Sequence, residues 1–413
     1  MKSDVIVLGA GMVGISAALH LQKRGRTVAL IDRRGAAEET SYGNGGIIQR
    51  EGVVPYMFPR EWGTILHYAT NRAPEAVYHL TALPTVAPWL FRHWLASTPE
   101  RKAASARALR PLVEHCISEH EPFLTEAGVM ALVRRTGYLK LYRTQAKLAE
   151  VIAIQEKERV EYGVSAVTVG KSEIAALEPH LRDGFAGGIH MLDPVSVSDP
   201  GAVGKAYNDL FVRKGGRFLE GDARSLENTT TGWRVATREG WWDAPEVIVA
   251  LGPWADDVLR PLGYRFPLGW KRGYHMHYRA EGNAVLSRPV VDGENGFAMM
   301  SMSKGVRLTT GAEFALRDAP KTPVQIERTE RLAREVFPIT ERLEPEPWLG
   351  RRPCLPDMLP VIGPAGRHRG LWLSFGHHHL GFTLGPVSGR LLAEMMTGET
   401  PFTDPAPYRA ERF

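Results

Sequence analysis

Val5 to Leu8 is an apolar run with no polar position inside it, the pattern of a strand buried on both faces of a parallel sheet. After a glycine turn, Ile15, Ala18, Leu19 and Leu21 recur on one side of a helix that Gly25 is placed to end in the left-handed conformation. "TVALID" then forms a second strand finishing in Asp32. Further on, "EVIVALGPW" is another apolar strand, with Trp254 opening a helix. "GYLKLYRT" and "GYHMHYR" alternate apolar and polar residues as half-exposed strands do. "NGFAMMSMSKGVRLTTGAEF" predicts two antiparallel strands joined at Ser303-Lys304-Gly305. Helical patterns over 101–127 and 145–162 flank these strands. "LTALPTVAPWLFRHWLAS" reads as a helix packed between domains, because its prolines, Arg92 and His93 interrupt an otherwise surface-seeking apolar stretch. Near the C-terminus "LWLSFG" is a strand end, and a loop leads from it into a helix with Val387, Leu391, Leu392 and Met395 on its buried side.

Composition narrows the classes. At 413 residues, 44% hydrophobic and 23% charged, the chain is expected to be a soluble globular protein of two interleaved lobes. The net charge of +5 is mild and the acidic residues are interspersed, so no nucleic-acid partner is expected, while anionic substrates or an anionic membrane surface stay open. Cys116 and Cys354 are the only cysteines, a reduced pattern that suits the cytoplasm. The apolar N-terminal run lacks a convincing cleavage site, and no stretch approaches the ~18 apolar residues of a membrane span. Peripheral contact with the inner face of a membrane is left open.

Candidate chemistry begins at the first turn. Gly9, Gly11 and Gly14 form GxGxxG between strand and helix: the first for the turn, the second for close approach of a pyrophosphate, the third for helix against strand. Asp32, 18 residues beyond Gly14, stands where an acid accepts ribose hydroxyls and repels a 2′-phosphate, so FAD or NAD is expected and NADP is not. The stretch Ser41 to Ile48 then supplies small, backbone-exposing residues where an NAD dehydrogenase normally continues into another strand and helix.

At this point the chain resembles the D-amino-acid oxidase family of FAD-dependent oxidoreductases, in particular its D-amino-acid dehydrogenase-like branch. Ser41, Asn44 and Gly46 meet one family pattern, and "EVIVALGPWADDVLRPLG", "WLGRRPCLPDMLPVIGP" and "SFGHHHLGFTLGP" match three more in the family's order. The resemblance implies an α/β and α+β fold: a Rossmann-like FAD-binding domain (1–80, 195–258 and 345–413) with a discontinuous, inserted antiparallel-sheet substrate-binding domain (81–194 and 259–344). It implies non-covalent FAD, because Cys354 lies closer to Pro356-Asp357 than a flavin-linking cysteine does. Around the first turn the FAD-binding candidates are Gly9, Gly11, Met12, Val13 and Gly14, with Asp32, Arg33 and Arg34 at the second strand end. The following loop contributes Ser41, Asn44, Gly45, Gly46 and Ile47, and the middle of the chain Ala223, Ala250, Gly252 and Trp254. The last loop adds Gly376, His377, His379 and Leu380, and the helix start Gly381, Phe382 and Thr383, whose N–H groups suit the flavin N1–C2=O edge.

The implied reaction oxidises the Cα–N bond of an amino acid, foremost a D-amino acid, by hydride transfer to flavin N5, and the imino acid hydrolyses to a 2-oxo acid. If the amine reacts unprotonated, no residue is needed as acid or base. Arg352 aligns with the family's carboxylate-binding arginine, whose fork binds bidentately, while Arg351 points elsewhere. Tyr274 and His275 lie on opposite faces of their strand, so only one of the pair faces the substrate; Tyr274 is the candidate carboxylate contact. Phe297 stands where related dehydrogenases often have tyrosine, which favours a more apolar or different substrate. Consecutive histidines make a poor ligand set, so no metal is expected at His377 to His379. His378 replaces a glycine of the relatives, and its side chain either contacts flavin or substrate or turns to solvent. Cyclic or secondary amino acids such as hydroxyproline, proline or sarcosine are alternative substrates, and an electron-relay flavoprotein subunit is the alternative of another class. Quinone and oxygen are both open as electron acceptors.

Overall fold

A computed structural model describes residues 1–413. Six strands form one sheet in the order Arg217–Glu220, Val28–Asp32, Val5–Leu8, Glu246–Val249, Leu371–Phe375, Val361–Pro364, parallel except for the last pair. The unbroken apolar run of the first strand has its reason here. Val5 and Val7 enter a core with the helices Met12–Lys23, Pro200–Arg213 and Gly381–Thr397, whereas Ile6 and Leu8 enter a second core with Trp233 and Trp242 of a small antiparallel sheet. The C-terminal helix crosses the first helix at backbone contact, and a Cβ on Gly389 would stand 2.7 Å from the Ser16 carbonyl carbon. Gly25, at φ +79°, follows the first helix as expected.

A second, eleven-stranded sheet is centred on the long strand Gly269–Ala280. One edge of this strand pairs with Gly305–Thr309 and Ala312–Phe314, the other with Ile339–Arg342 and Trp348–Cys354. Strands Phe297–Met302 and Gly305–Thr309 form the expected hairpin. The two alternating segments are not half-exposed. Tyr274, Met276 and Tyr278 pack against the helix Val324–Val336, while His275 and His277 are buried on the other face. Alternation identified two faces correctly, but burial pins His275 neutral, its pKa pushed down to about 2, and a neutral ring can occupy an interior position. In Tyr138–Tyr142 the one polar position, Lys140, faces an internal cavity.

The helical pattern at 101–127 resolves into two helices, Pro99–Glu114 and Cys116–Glu126, separated at His115. Both lie in the stretch expected to build the substrate domain, yet Leu109, Leu112 and Phe123 join the core beneath the parallel sheet. The helix Leu83–Ala96 buries one stripe, Val86, Trp89 and His93; Trp89 Nε1 donates to the Cys354 carbonyl at 3.0 Å. Phe91 and Leu95 on its other side are exposed. No helix is long and apolar enough to cross a membrane.

Candidate active site

Between the C-terminal ends of the parallel strands and one face of the large sheet lies a cavity of about 690 Å³. One end is the glycine turn. Gly9 has φ +102°, and a Cβ there would stand 2.6 Å from the Ala250 carbonyl oxygen. On Gly14 a Cβ would collide with the Gly9 carbonyl at 1.8 Å, whereas on Gly11 it would approach nothing closer than Ser41 Oγ at 3.3 Å. The turn is therefore packed from behind and open toward the cavity. Asp32 accepts the Ala10 N–H through Oδ2 at 2.9 Å and the Arg34 N–H through Oδ1 at 3.0 Å, so the carboxylate is fixed and each oxygen retains accepting capacity. Ser41 Oγ accepts the Met12 N–H at 2.9 Å, and Asn44 Oδ1 the Gly46 N–H at 2.8 Å, which ties the second loop to the helix start. Arg33 lies over the Trp254 ring at 5.0 Å.

These features fit FAD. The open turn and the loop at Ser41, Asn44 and Gly45 would take the pyrophosphate, Asp32 a ribose, and the wall formed by Gly376, His377 and Gly381 the flavin end. Five residues assigned to cofactor contact do not line the cavity and instead shape its frame. Gly14 packs helix on turn, Gly46 packs on the Val197 carbonyl, and Leu380 belongs to the core. Thr383 Oγ1 accepts the Gln49 N–H and donates to the Ile47 carbonyl. Arg34 is exposed and ion-paired with Glu39 at 2.8 Å.

The opposite end is built by two neighbouring strands. Arg352 stands directly across from Lys271, and both side chains line the cavity. Arg352 Nη1 donates to the Gly311 carbonyl at 2.7 Å and Nη2 to that of Thr310 at 3.2 Å. A Cβ on Gly273 would meet Nη2 at 2.6 Å, so the guanidinium lies across a position that only glycine leaves free. Burial lowers the Arg352 pKa, and the one titratable group opposing this is Cys354, a thiol that burial itself keeps protonated; no carboxylate acts on the guanidinium. Arginine stays cationic under such conditions. Arg351 points away, its Nε donating to the Arg317 carbonyl at 2.8 Å.

Tyr274 adjoins the cavity, but its hydroxyl, the expected carboxylate contact, is engaged within the protein. Its hydroxyl donates to Glu313 (3.1 and 3.2 Å to the two oxygens), accepts the Thr322 N–H at 2.8 Å and an Arg272 N–H at 3.2 Å, and the residue is 2% exposed. Its side chain lies with Arg272 on the sheet face away from Lys271 and Arg352. His275 shares the Lys271 face but stacks on Trp348 at 4.8 Å, outside the cavity lining. Sequence reasoning missed Lys271; the available signal was alternation, which puts it on the His275 face. Phe297 adjoins the cavity, but its ring, 1% exposed, packs in the core with Tyr274 and Met276; Ala298 and Met300, on the other face of the strand, line the wall.

The three histidines diverge. His377 Nε2 meets Ser388 Oγ at 3.0 Å, and His378 Nδ1 meets His379 Nδ1 at 3.1 Å. Burial pushes the pKa of His377 and of His379 down to about 3, Arg352 and Lys271 adding to the effect on His379, and carries His378 well below the ordinary value. His378 adopts φ +43°, is 2% exposed and leaves Nε2 without a partner. Its ring lines the cavity and does not turn to solvent.

Residues 4–395 match the family model described as FAD dependent oxidoreductase. The chain is 27% identical to a D-amino-acid oxidase of Bradyrhizobium diazoefficiens, over 99% of this chain and 98% of that relative. It is 30% identical to a D-amino acid dehydrogenase of Paramagnetospirillum magneticum, over 95% of each. Among solved structures, glycine oxidase from Geobacillus kaustophilus superposes with a TM-score of 0.75 at 21% identity, over 100% of this chain and 99% of that one.

Proposed function

The chain belongs to the family of FAD-dependent oxidoreductases, and from that premise we propose that it oxidises a D-amino acid at the Cα–N bond, giving an imino acid that hydrolyses to a 2-oxo acid. The observation that carries the substrate assignment is Arg352: a half-buried cation without a carboxylate partner, in the same cavity as the dinucleotide cradle. Of the five N–H donors of a guanidinium, two go to the Thr310 and Gly311 carbonyls, and the rest are free for a substrate carboxylate. Those carbonyls hold the plane of the fork before substrate arrives, so little orientational freedom is lost on binding. When bound non-covalently, FAD supplies the acceptor for the hydride leaving Cα.

What the chain contributes is position and exclusion of water. Arg352 fixes the carboxylate, Ala298 and Met300 form an apolar wall, and Gly273 keeps the guanidinium close to the sheet. The histidines of the last loop are neutral, so they add no charge to repel an ammonium as it sheds its proton to become the reactive amine. A relay subunit would have no use for an unpaired arginine at its flavin, which disfavours that class.

Anaerobic mixing of the yellow holoenzyme with D- and L-amino acids, proline, hydroxyproline and sarcosine tests the reading. Bleaching by D-amino acids is the expected result, and failure of every amine would sink it. The acceptor is a quinone or oxygen; dye reduction without air against peroxide formation in air separates them. Exposed Trp62, Leu66, Leu80 and Phe91 support peripheral contact with a membrane, testable by co-sedimentation with anionic vesicles.

A further inference from the structure

Lys271 is enclosed by protein, and the surface it keeps faces the cavity. Its ammonium lies over the Trp89 ring at 5.5 Å, a placement that favours the charged form. The titratable groups acting on it are Cys354, a thiol that burial keeps protonated, and Arg352, which repels it. Two cations thus stand on directly opposed positions of adjacent strands, where like charges destabilise a sheet, with no carboxylate acting on either. Two other cations of this region do have acids: Arg272 lies 2.7 Å from Glu313, and the half-buried Arg143 2.8 Å from Asp292.

A single substrate carboxylate compensates Arg352 and leaves Lys271 over. The cofactor's phosphates cannot serve, because their cradle is the glycine turn at the other end of the cavity. Ala298 and Met300 close the wall without supplying an anion.

We propose that Lys271 is a second anion subsite, and that the preferred substrates are amino acids carrying a second carboxylate, on the side chain or on the nitrogen. The proposal rests on the reading of Arg352 as the α-carboxylate clamp. Charge balance is its physical content: the dicarboxylate neutralises both cations, and one charge-assisted hydrogen bond in an enclosed site corresponds to roughly ten- to a hundredfold in affinity.

The test uses intact holoenzyme and two sets of compounds. Malonate and succinate are titrated against acetate and propionate, with dissociation constants read from the flavin absorbance change. D-aspartate, D-glutamate and iminodiacetate are compared with D-alanine as reductants. We expect the dicarboxylates to bind and react roughly ten- to a hundredfold better than their monocarboxylate counterparts. Lys271→Met should collapse that ratio, and Lys271→Arg should retain most of it. Preference for aspartate and glutamate places the second carboxylate on the side chain; preference for iminodiacetate places it on the nitrogen, and either supports the subsite. Malonate binding no tighter than acetate in the unmodified protein, or Lys271→Met weakening both classes by one factor, would overturn it. In that case reduction by D-alanine leaves the broader reading standing, whereas no reduction by any amino acid removes both.

Discussion

Arg272, buried, and Arg352, half-buried, are arginines on paired strands of one sheet, and they differ in company. Arg272 is 0% exposed, lies 2.7 Å from Glu313 and donates to the carbonyls of Leu316, Ala319 and Pro320. Arg352, on the opposite face, has two carbonyls, no acid, and a cavity in front of it. Arg272 is sealed and Arg352 half-buried, its remaining surface at the cavity, but burial alone does not mark a binding role. Charge balance does: Arg272 is neutralised by the fold and holds the sheet to the loop 316–322, while Arg352 is left without a counter-ion at the cavity, which is the basis of the role proposed for it.

Breaking the balanced side should produce the largest change. Glu313→Gln leaves Arg272 buried without its counter-ion, and we expect a stability loss of about 3–5 kcal/mol by chemical denaturation. FAD content of the surviving folded protein should be normal. If the loss is under about 1 kcal/mol, the network is not what secures that face.

On the cavity side the effect should move from stability to kinetics. Arg352→Lys keeps the charge and loses the fork, so kcat/KM for amino acids should fall by roughly two to three orders of magnitude, mostly in KM, with the thermal midpoint and bound FAD retained. A variant that loses FAD or unfolds instead would place Arg352 with Arg272 as a structural residue.

His378 sharpens the comparison at smaller scale, since its left-handed backbone is held by packing and not by charge. His378→Gly removes the side-chain strain but adds unfolded-state entropy, so stability should change by no more than about 1 kcal/mol. Because the ring lines the cavity, the ranking of amino acid substrates should shift; an unaltered ranking would contradict that placement.

The smallest expected effect is a pH slope. Burial and Arg352 lower the Lys271 pKa, and the cation is the form that binds an anion. Malonate affinity should therefore be full at neutral pH and decline as pH rises through the Lys271 value, before the ordinary lysine range. The groups facing Lys271 are Arg352, Cys354, His93, His378 and His379, and the three histidines are depressed far below neutrality. Lys271→Arg should flatten the slope, because arginine does not titrate there; a slope that survives would point to the Cys354 thiol.

Much of the cofactor end was legible from Gly9, Gly11, Gly14 and Asp32, because a strand, a tight turn and a helix within thirty residues of chain have few ways to fold. Arg33 and Arg34 were inseparable in the sequence for a local reason: both are exposed and both pair with Glu39, and only the placement of Trp254 draws Arg33 to the cavity. The helices 99–126 misled for a global one, since an amphipathic pattern shows that a face is buried without saying against what.

The chain's own order of residues determined the nucleotide fold, the position of Arg352 in its motif, and the two alternating faces at 271–278. Which of those faces meets the cavity was decided only in three dimensions. The helix Val324–Val336 covers the Tyr274 face, and Glu313, brought in by a neighbouring strand, takes up the Tyr274 hydroxyl and the Arg272 charge. Side-chain alternation is symmetric between faces. Only packing from distant segments breaks that symmetry, and it left Lys271 and Arg352 facing the cavity together.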